Sequence, residues 1–205
     1  MRRKEFEVQD PKLIGEVLQT TEIGYLSFIG PDGWPRITPL NFVFDGRVLW
    51  HGAIAGERFE CLQRNPKATF STVSLQAYVP SHFTSEGSAI GATTVYQSAI
   101  VRGSCSIIEE AQERCKILNM LMDKYQPEGR YKRITPEDPM YIKLLKATAV
   151  CALVPESMTG KFKLSQNRSV EDRQRTITKL KERGSPADLQ LAEAMQKTLA
   201  GTDRH

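Results

Sequence analysis

Histidine is scarce in this chain, with three in 205 residues, at His51, His82 and His205. Scattered in that way they do not supply the clustered nitrogen ligands of a zinc centre, and no metal site is expected. Cysteine is nearly as sparse and forms no C-x-x-C pair. Cys61, Cys105, Cys115 and Cys151 sit inside apolar patterns, which argues against a disulfide framework and for the buried, reduced thiols of a cytoplasmic protein. No apolar run reaches the length of a membrane span. The opening MRRKEFEVQDP has basic residues with no apolar stretch behind them, so a secretory signal is not expected either. Internal repeats are absent. A large charge excess is absent too: the formal net charge is +4. Ten Lys/Arg against six Asp/Glu lie from Gly160 onward, with eighteen against eighteen before it, so the tail carries the whole excess. A basic tail can meet nucleic acid or an acidic partner. Such a face is more often simply solvated, and nucleic acid is not the expected partner.

What is present suffices for one full core without staples, at 40% apolar and 25% charged residues. The chain opens with a helix capped by Asp10, with Pro11 at its first position and Ile14, Val17 and Leu18 on one side. A strand over residues 24–29 turns at Pro31-Asp32-Gly33 into a long strand, 34–44. Residues 67–75 read as another strand, and 81–92, rich in Ser, Gly and Thr, as loop. Residues 93–108 are too long and too β-branched for anything but a strand, bent where Gly103 interrupts it. After Glu109 the period becomes helical, with Cys115, Leu118, Leu121, Met122 and Tyr125 forming an apolar stripe. Residues 135–138 start a further helix. Residues 147–154, ATAVCALV, form a last strand whose continuous apolar run implies burial on both faces. Ser169 with Asp172, and Ser185 with Asp188, open two closing helices that stop at Gly184 and Gly201. Strands around one core with helices between them predict a mainly β antiparallel barrel over 1–159, with flanking helices. A C-terminal helical hairpin, 160–205, is expected to pack on the barrel or on a dimer partner.

The densest information lies at 34–73. Asp45-Gly46 between two β-rich runs is the signal of a tight hairpin whose turn needs positive φ. The second strand, RVLWH, runs into Gly52-Ala53-Ile54-Ala55-Gly56 and a short helix, ERFECLQRN, stopped by Pro66. A glycine-flexible loop that opens a helix presents free amide N–H groups and the positive end of the helix dipole. Arg58 in the first helical turn opposes that dipole, a mismatch an anion would resolve. On spacing alone the same glycines read equally well as ordinary turn residues and Arg58 as a solvated charge.

The order of these pieces resembles the FMN-binding split barrel of the pyridoxamine 5'-phosphate oxidase-like superfamily. Within it, the pattern is most similar to the nitroimidazole-resistance (Nim-type) flavoproteins. These carry an Arg-x-x-Pro strand, a hairpin, then His-x-Ala-x-x-Gly-x-Lys/Arg before a helix ending in Asn-Pro. Here those positions are Arg36, Pro39, His51, Ala53, Gly56, Arg58, Asn65 and Pro66. The segment GKFKLSQNRSVEDR resembles instead the Pai-type flavin-binding regulators, a sister branch in which a Lys-Leu-Ser-Gln-Asn run follows the last barrel strand. The chain departs from many relatives in having Arg58 where they have lysine. It also lacks a residue set that would identify a pyridoxamine phosphate substrate.

The resemblance implies FMN, or FAD in its place, bound non-covalently at the two-fold interface of a homodimer. Arg58 and the loop of Gly52, Ala53 and Gly56 would hold the phosphate, with Arg36 as a second cation. Backbone groups of Ile37, Thr38, Pro39, Leu40 and Asn41 would line the flavin ring. Tyr96 would cover it, and Gln97 and Ser98 would contact the flavin or its phosphate; without the resemblance, those last two read equally as the outward face of a half-buried strand. Pro39, lacking an N–H, is expected at an edge or an interruption of the ladder. A lone histidine at a strand end is usually structural. At the lip of a flavin loop, however, His51 could hold an anionic substrate or deliver a proton, and the resemblance places it on the substrate side. His82, on a flexible loop, is a weaker candidate. Three function classes follow: an FMN-dependent reductase of nitroaromatic-like or other small electrophiles, a flavin-binding regulator whose basic tail contacts DNA, and a flavin or tetrapyrrole carrier.

Overall fold

A computed structural model describes residues 1–200; the helix stop expected at Gly201 and the third histidine, His205, lie outside them. The elements run β1 (Glu7–Val8), α1 (Pro11–Thr20), β2 (Ile23–Ile29), β3 (Pro35–Asn41), β4 (Val43–Phe44), β5 (Val48–Ala53), α2 (Glu57–Arg64), β6 (Lys67–Val79), β7 (Thr93–Ile107), α3 (Ala111–Tyr125), α4 (Pro139–Ala147), β8 (Thr148–Lys163), α5 (Val170–Arg183) and α6 (Pro186–Ala200). The eight strands make one sheet in the order β3-β2-β6-β7-β8-β5-β4, with β1 added on β8. The fold is mainly β with flanking helices, the antiparallel split barrel expected.

Capping residues set the helix starts. Asp10 accepts the Lys12 N–H at 2.9 Å in front of Pro11, and Ile14 and Leu18 are fully buried behind it. Glu110, Asp138 and Ser169 cap α3, α4 and α5 in the same way. Gly184, in the left-handed conformation, ends α5 as anticipated.

The strand expected over 34–44 is two strands, β3 and β4, parted at Phe42. The Phe42 N–H is donated to Tyr125 Oη at 2.8 Å, and its carbonyl accepts from Lys124 Nζ at 3.0 Å. β3 and β4 stand at opposite ends of the sheet order, so this pinned residue is the corner at which the sheet turns back on itself. β6 continues past the expected stop. Its buried positions are Ala68, Phe70 and Thr72 before Leu75, then Ala77 and Val79 after it. Leu75 itself has a φ of 41°. An extra residue in the ladder shifts the alternation by one, which is why a strict period-two reading ended there. β8 also extends further, to Lys163, because its second half is amphipathic rather than apolar throughout. The boundary expected near residue 159 falls inside this strand.

The chain forms two compact units. One comprises Met1–Val17, Val73–Ala99 and the chain from Thr159 onward. It contains the helical pair α5 and α6, packed through Ile177, Leu180, Leu191 and Met195, all fully buried. The other comprises Leu18–Thr72 and Ile100–Met158. Its core includes a cluster in which α3 (Ile117, Leu118, Leu121) covers Leu49, Val150 and Ala152.

Gly103 lies within β7 in this second unit. A Cβ there would stand 1.9 Å from the Val154 carbonyl oxygen, and backbone cannot swing aside as a side chain can. Gly103→Ala is therefore expected to cost about 3 kcal/mol and to lower the melting temperature by roughly 6–12 °C. An unchanged thermal melt would refute the close approach.

Candidate functional site

The second unit contains a cleft between α2 and the sheet. β5 pairs with β8 so that Trp50 faces Cys151 and Gly52 faces Ala149. Cross-strand partners share a face, and these four residues line the cleft together with Arg58 and Phe59 of α2 and Cys105 of β7. The volume is about 180 Å³.

β5 runs through Ala53, so the open loop is only residues 54–56, shorter than the stretch from Gly52 to Gly56. Gly56 then caps α2 with a φ of 107° and no side-chain acceptor for the first-turn amides. That φ suits glycine alone, and the uncapped amides are the orphan donors of a helix start.

Arg58 is the electrostatic centre of the cleft. A Cβ placed on Gly52 would lie 2.2 Å from Arg58 Nη2, so the guanidinium rests on bare backbone where no side chain would fit. Among the described residues no carboxylate pairs with it. Arg36 is the opposite case. Its guanidinium meets Asp32 and Glu57, each at 3.0 Å, and these carboxylates hold its pKa above the ordinary value, Asp32 foremost. Of the two arginines expected at a phosphate, the one with an unpaired guanidinium is Arg58, while Arg36 ties the Asp32 turn to the first residue of α2.

Burial pushes the Cys105 thiol up to about 12, helped by neighbouring Cys151. It pushes Cys151 up to about 11 against the pull of Arg58. Both stay protonated at neutral pH, so neither neutralises Arg58. His51 has its pKa lowered, first by desolvation and then by the Arg58 charge. Its side chain is nonetheless exposed at the surface. His51 pairs with Val150, on the side of β5 opposite Gly52 and Trp50, and does not line the cleft.

The remaining expected residues lie elsewhere. β3 is a terminal strand of the sheet, so Pro39 sits on an edge, as its missing N–H requires. Ile37, Pro39 and Asn41 are exposed on its outer face, Leu40 is buried, and Arg36 and Thr38 are intermediate. Tyr96 and Ser98 belong to the first unit. Lys161 Nζ stands 5.5 Å from the Tyr96 ring centroid, and Ser98 Oγ donates to the Lys161 carbonyl at 3.4 Å; Gln97 alternates to the other side of the strand. His82 lies in a short 3-10 turn, edge-on to Phe83. Within one chain, then, Gly52, Ala53 and Arg58 come together, and Tyr96 and Ser98 line up beside Lys161. The sequence reading missed Cys105, Cys151 and Phe59 as cleft residues. Their only signal is strand and helix register, which one sequence does not display.

A family model described as pyridoxamine 5'-phosphate oxidase matches residues 10–162. The chain belongs to the pyridoxamine 5'-phosphate oxidase family. The match includes the Arg36–Pro39 strand, the hairpin and α2, and it ends before the Lys163–Asn167 run. No curated protein matches the chain. Among solved structures it is similar to the flavocytochrome Anf3 from Azotobacter vinelandii, at 24% identity over 84% of this chain and 76% of that one, with a TM-score of 0.68. It is also similar to an FAD and heme binding protein from Mycobacterium smegmatis, at 19% identity, 82% and 78% coverage and a TM-score of 0.66. A third is described as a 5-nitroimidazole antibiotic resistance protein, from Bacteroides thetaiotaomicron, at 20% identity, 76% and 85% coverage and a TM-score of 0.61. At these identities the solved structures establish the fold that this family member shares.

Proposed function

We propose that this member of the pyridoxamine 5'-phosphate oxidase family is a homodimeric FMN flavoprotein that reduces a small electrophilic, nitroaromatic-like substrate in the cytoplasm. The observation that carries the reading is the unpaired Arg58 guanidinium lying over Gly52 beside the uncapped start of α2. A fixed guanidinium and orphan amides are what a phosphate monoester needs. Similarity to FAD-binding and nitroimidazole-resistance proteins points the same way, and FAD would offer a phosphate at the same place.

The cleft, at about 180 Å³, is smaller than the roughly 300–1,000 Å³ of sites that enclose a cofactor-sized ligand. It suits the phosphate end, leaving the ring to the exposed backbone of β3. Beside that strand lies an apolar sheet face. Register puts Tyr25 next to Pro39, and Ser27 next to Ile37, while Ile23, Tyr25 and Ile29 are about half exposed and Ile37 is 67% exposed. A second copy of the chain packed on this face would cover it and close the site, since most oligomers are symmetric and isologous.

FMN supplies hydride and electron transfer when bound. The chain supplies the rest: Arg58 anchors, β3 orients, and His51, on the face of β5 opposite the cleft, is the side chain assigned to hold or move a proton.

The test is direct. The purified protein is expected to be yellow, to take up one FMN per chain, to run as a dimer in light scattering at micromolar concentration, and to bleach on reduction and recover with a nitroaromatic acceptor. A colourless protein that fails to bind added FMN would overturn the flavin reading. A monomer with flavin still bound would overturn the interface.

A further inference from the structure

In the second unit, helix α3 meets the strands at two places. Its middle packs on the hairpin, where Leu118 and Leu121 share one buried cluster with Val43 of β4 and Leu49 of β5. Its last turn grips the corner at Phe42. Phe42 is fully buried and lies between strands, and buried main-chain N–H and C=O groups must find partners. Tyr125 meets both. Its Oη accepts the Phe42 N–H at 2.8 Å and stands 2.9 Å from the Phe42 carbonyl, with the Glu22 carbonyl just before β2 as a second acceptor. Lys124 Nζ donates to the Thr21 carbonyl at 2.6 Å and to the Phe42 carbonyl at 3.0 Å, over the Phe42 ring.

This corner joins the two halves of the site proposed above. β3, before it, is the strand given to the flavin ring; β4 and β5, after it, lead to Gly52 and the start of α2. Tyr125 reaches the first half directly. A phenol has one proton to donate and lone pairs that accept. Burial holds the Tyr125 pKa above its ordinary value, against the pull of the Phe42 main chain and of the Asn41 side-chain amide, which reaches the same oxygen. The phenol therefore stays protonated at neutral pH, holding a carbonyl with its proton and the Asn41 amide with a lone pair. Asn41 is the last residue of β3 and is exposed, so this contact is what restricts its rotamers. Lys124 works on main-chain carbonyls instead.

We propose that Tyr125 is a positioning residue for the flavin ring, its hydroxyl orienting the Asn41 amide and the end of β3 toward the polar edge of that ring. The inference rests on the FMN reading given above. Hydrogen bonds to the ring tune a flavin's electronics, so releasing Asn41 changes the affinities for oxidised and reduced FMN unequally. A brace with a structural role alone acts differently. Its loss costs stability and leaves the flavin of the folded protein as it was.

The test is the affinity and the reduction potential of FMN bound to variants of the full-length protein. Tyr125→Phe keeps the ring and removes the hydroxyl. It should weaken binding of oxidised FMN roughly two- to twelvefold, the equivalent of one hydrogen bond, and shift the potential of the bound flavin. Asn41→Ala should give the same shift, and the double variant no more than either, since the two residues act as one unit. Lys124→Met should lower the melting temperature and leave affinity and potential at their wild-type values. An unshifted potential in Tyr125→Phe, or effects that add in the double variant, would overturn the proposal. So would a potential moved as far by Lys124→Met, which would make the last turn of α3 structural support. If Tyr125→Phe does not fold, Asn41→Ala at its exposed position carries the test, and an unshifted potential there is equally decisive. A wild type that takes up no FMN is a separate outcome: it sinks the flavin reading first, and this inference with it.

Discussion

Arg58→Ala is expected to lower FMN affinity about ten- to a hundredfold, with little change in the melting temperature. A hydrogen bond to a charged group contributes roughly 1.5–3 kcal/mol, and the amides at the α2 start cannot replace the lost charge. Stability should hold because Arg58 makes no ion pair that its removal would break. Two companions separate the phosphate role from simple packing. Arg58→Lys keeps the charge but not the planar fork, so it should lose less than alanine does. Gly52→Val leaves Arg58 in the sequence but fills the space its guanidinium occupies, so it should weaken FMN binding although no charge is removed. Arg36→Ala should cost far less affinity, since its guanidinium already faces Asp32 and Glu57 and exposed ion pairs contribute little. Fluorescence titration of FMN against the four variants reads all of this. Equal affinities in the wild type and Arg58→Ala would end the assignment of Arg58 to the phosphate.

The contrast between Arg36 and Arg58 marks the limit of what the sequence shows. Both arginines fit a phosphate by type and by resemblance. What distinguishes them is which carboxylates the fold brings alongside, and Glu57 is 21 residues from Arg36. Local chemistry was legible wherever it is encoded locally. The Asp10 and Ser169 caps, the positive φ at Gly33 and Gly46, the Gly184 stop and the unbroken burial of β8 at Ala149–Leu153 all follow from residue type and short-range periodicity. Phase shifts were not legible. The left-handed Leu75 inside β6 and the corner at Phe42 interrupt an otherwise continuous β pattern, and the groups that fix that corner, Lys124 and Tyr125, come from a helix about 80 residues later. The cleft depended on register in the same way. Gly52 was visible as a loop glycine, but it is a strand glycine whose bare backbone carries a guanidinium.

For His51 the structure sharpens the question. Desolvation and the nearby Arg58 charge both disfavour the imidazolium, so the ring is neutral at pH 7 and the anion holder is Arg58. The folded pKa is depressed below the unfolded value of about 6.5. The unfolded chain therefore binds more protons in the window just under that value, and any stability His51 contributes is present above it and lost as pH falls through the folded pKa. Bound FMN would neutralise Arg58 and remove the second of the two causes, raising the His51 pKa, which titration of the ring resonances with and without FMN would register. If His51 delivers a proton to substrate, His51→Ala should leave FMN affinity within a few-fold and cut flavin-normalised turnover about a hundredfold or more. Wild-type turnover should then rise as pH drops below 6.5, a limb the variant lacks. If the residue is instead a strand-end support paired with Val150, the variant should lose melting temperature and flavin retention together, with the rate per bound flavin unchanged. Affinity, thermal melt and normalised rate measured on this one variant decide between the two, and an unaltered rate per flavin removes His51 from the chemistry.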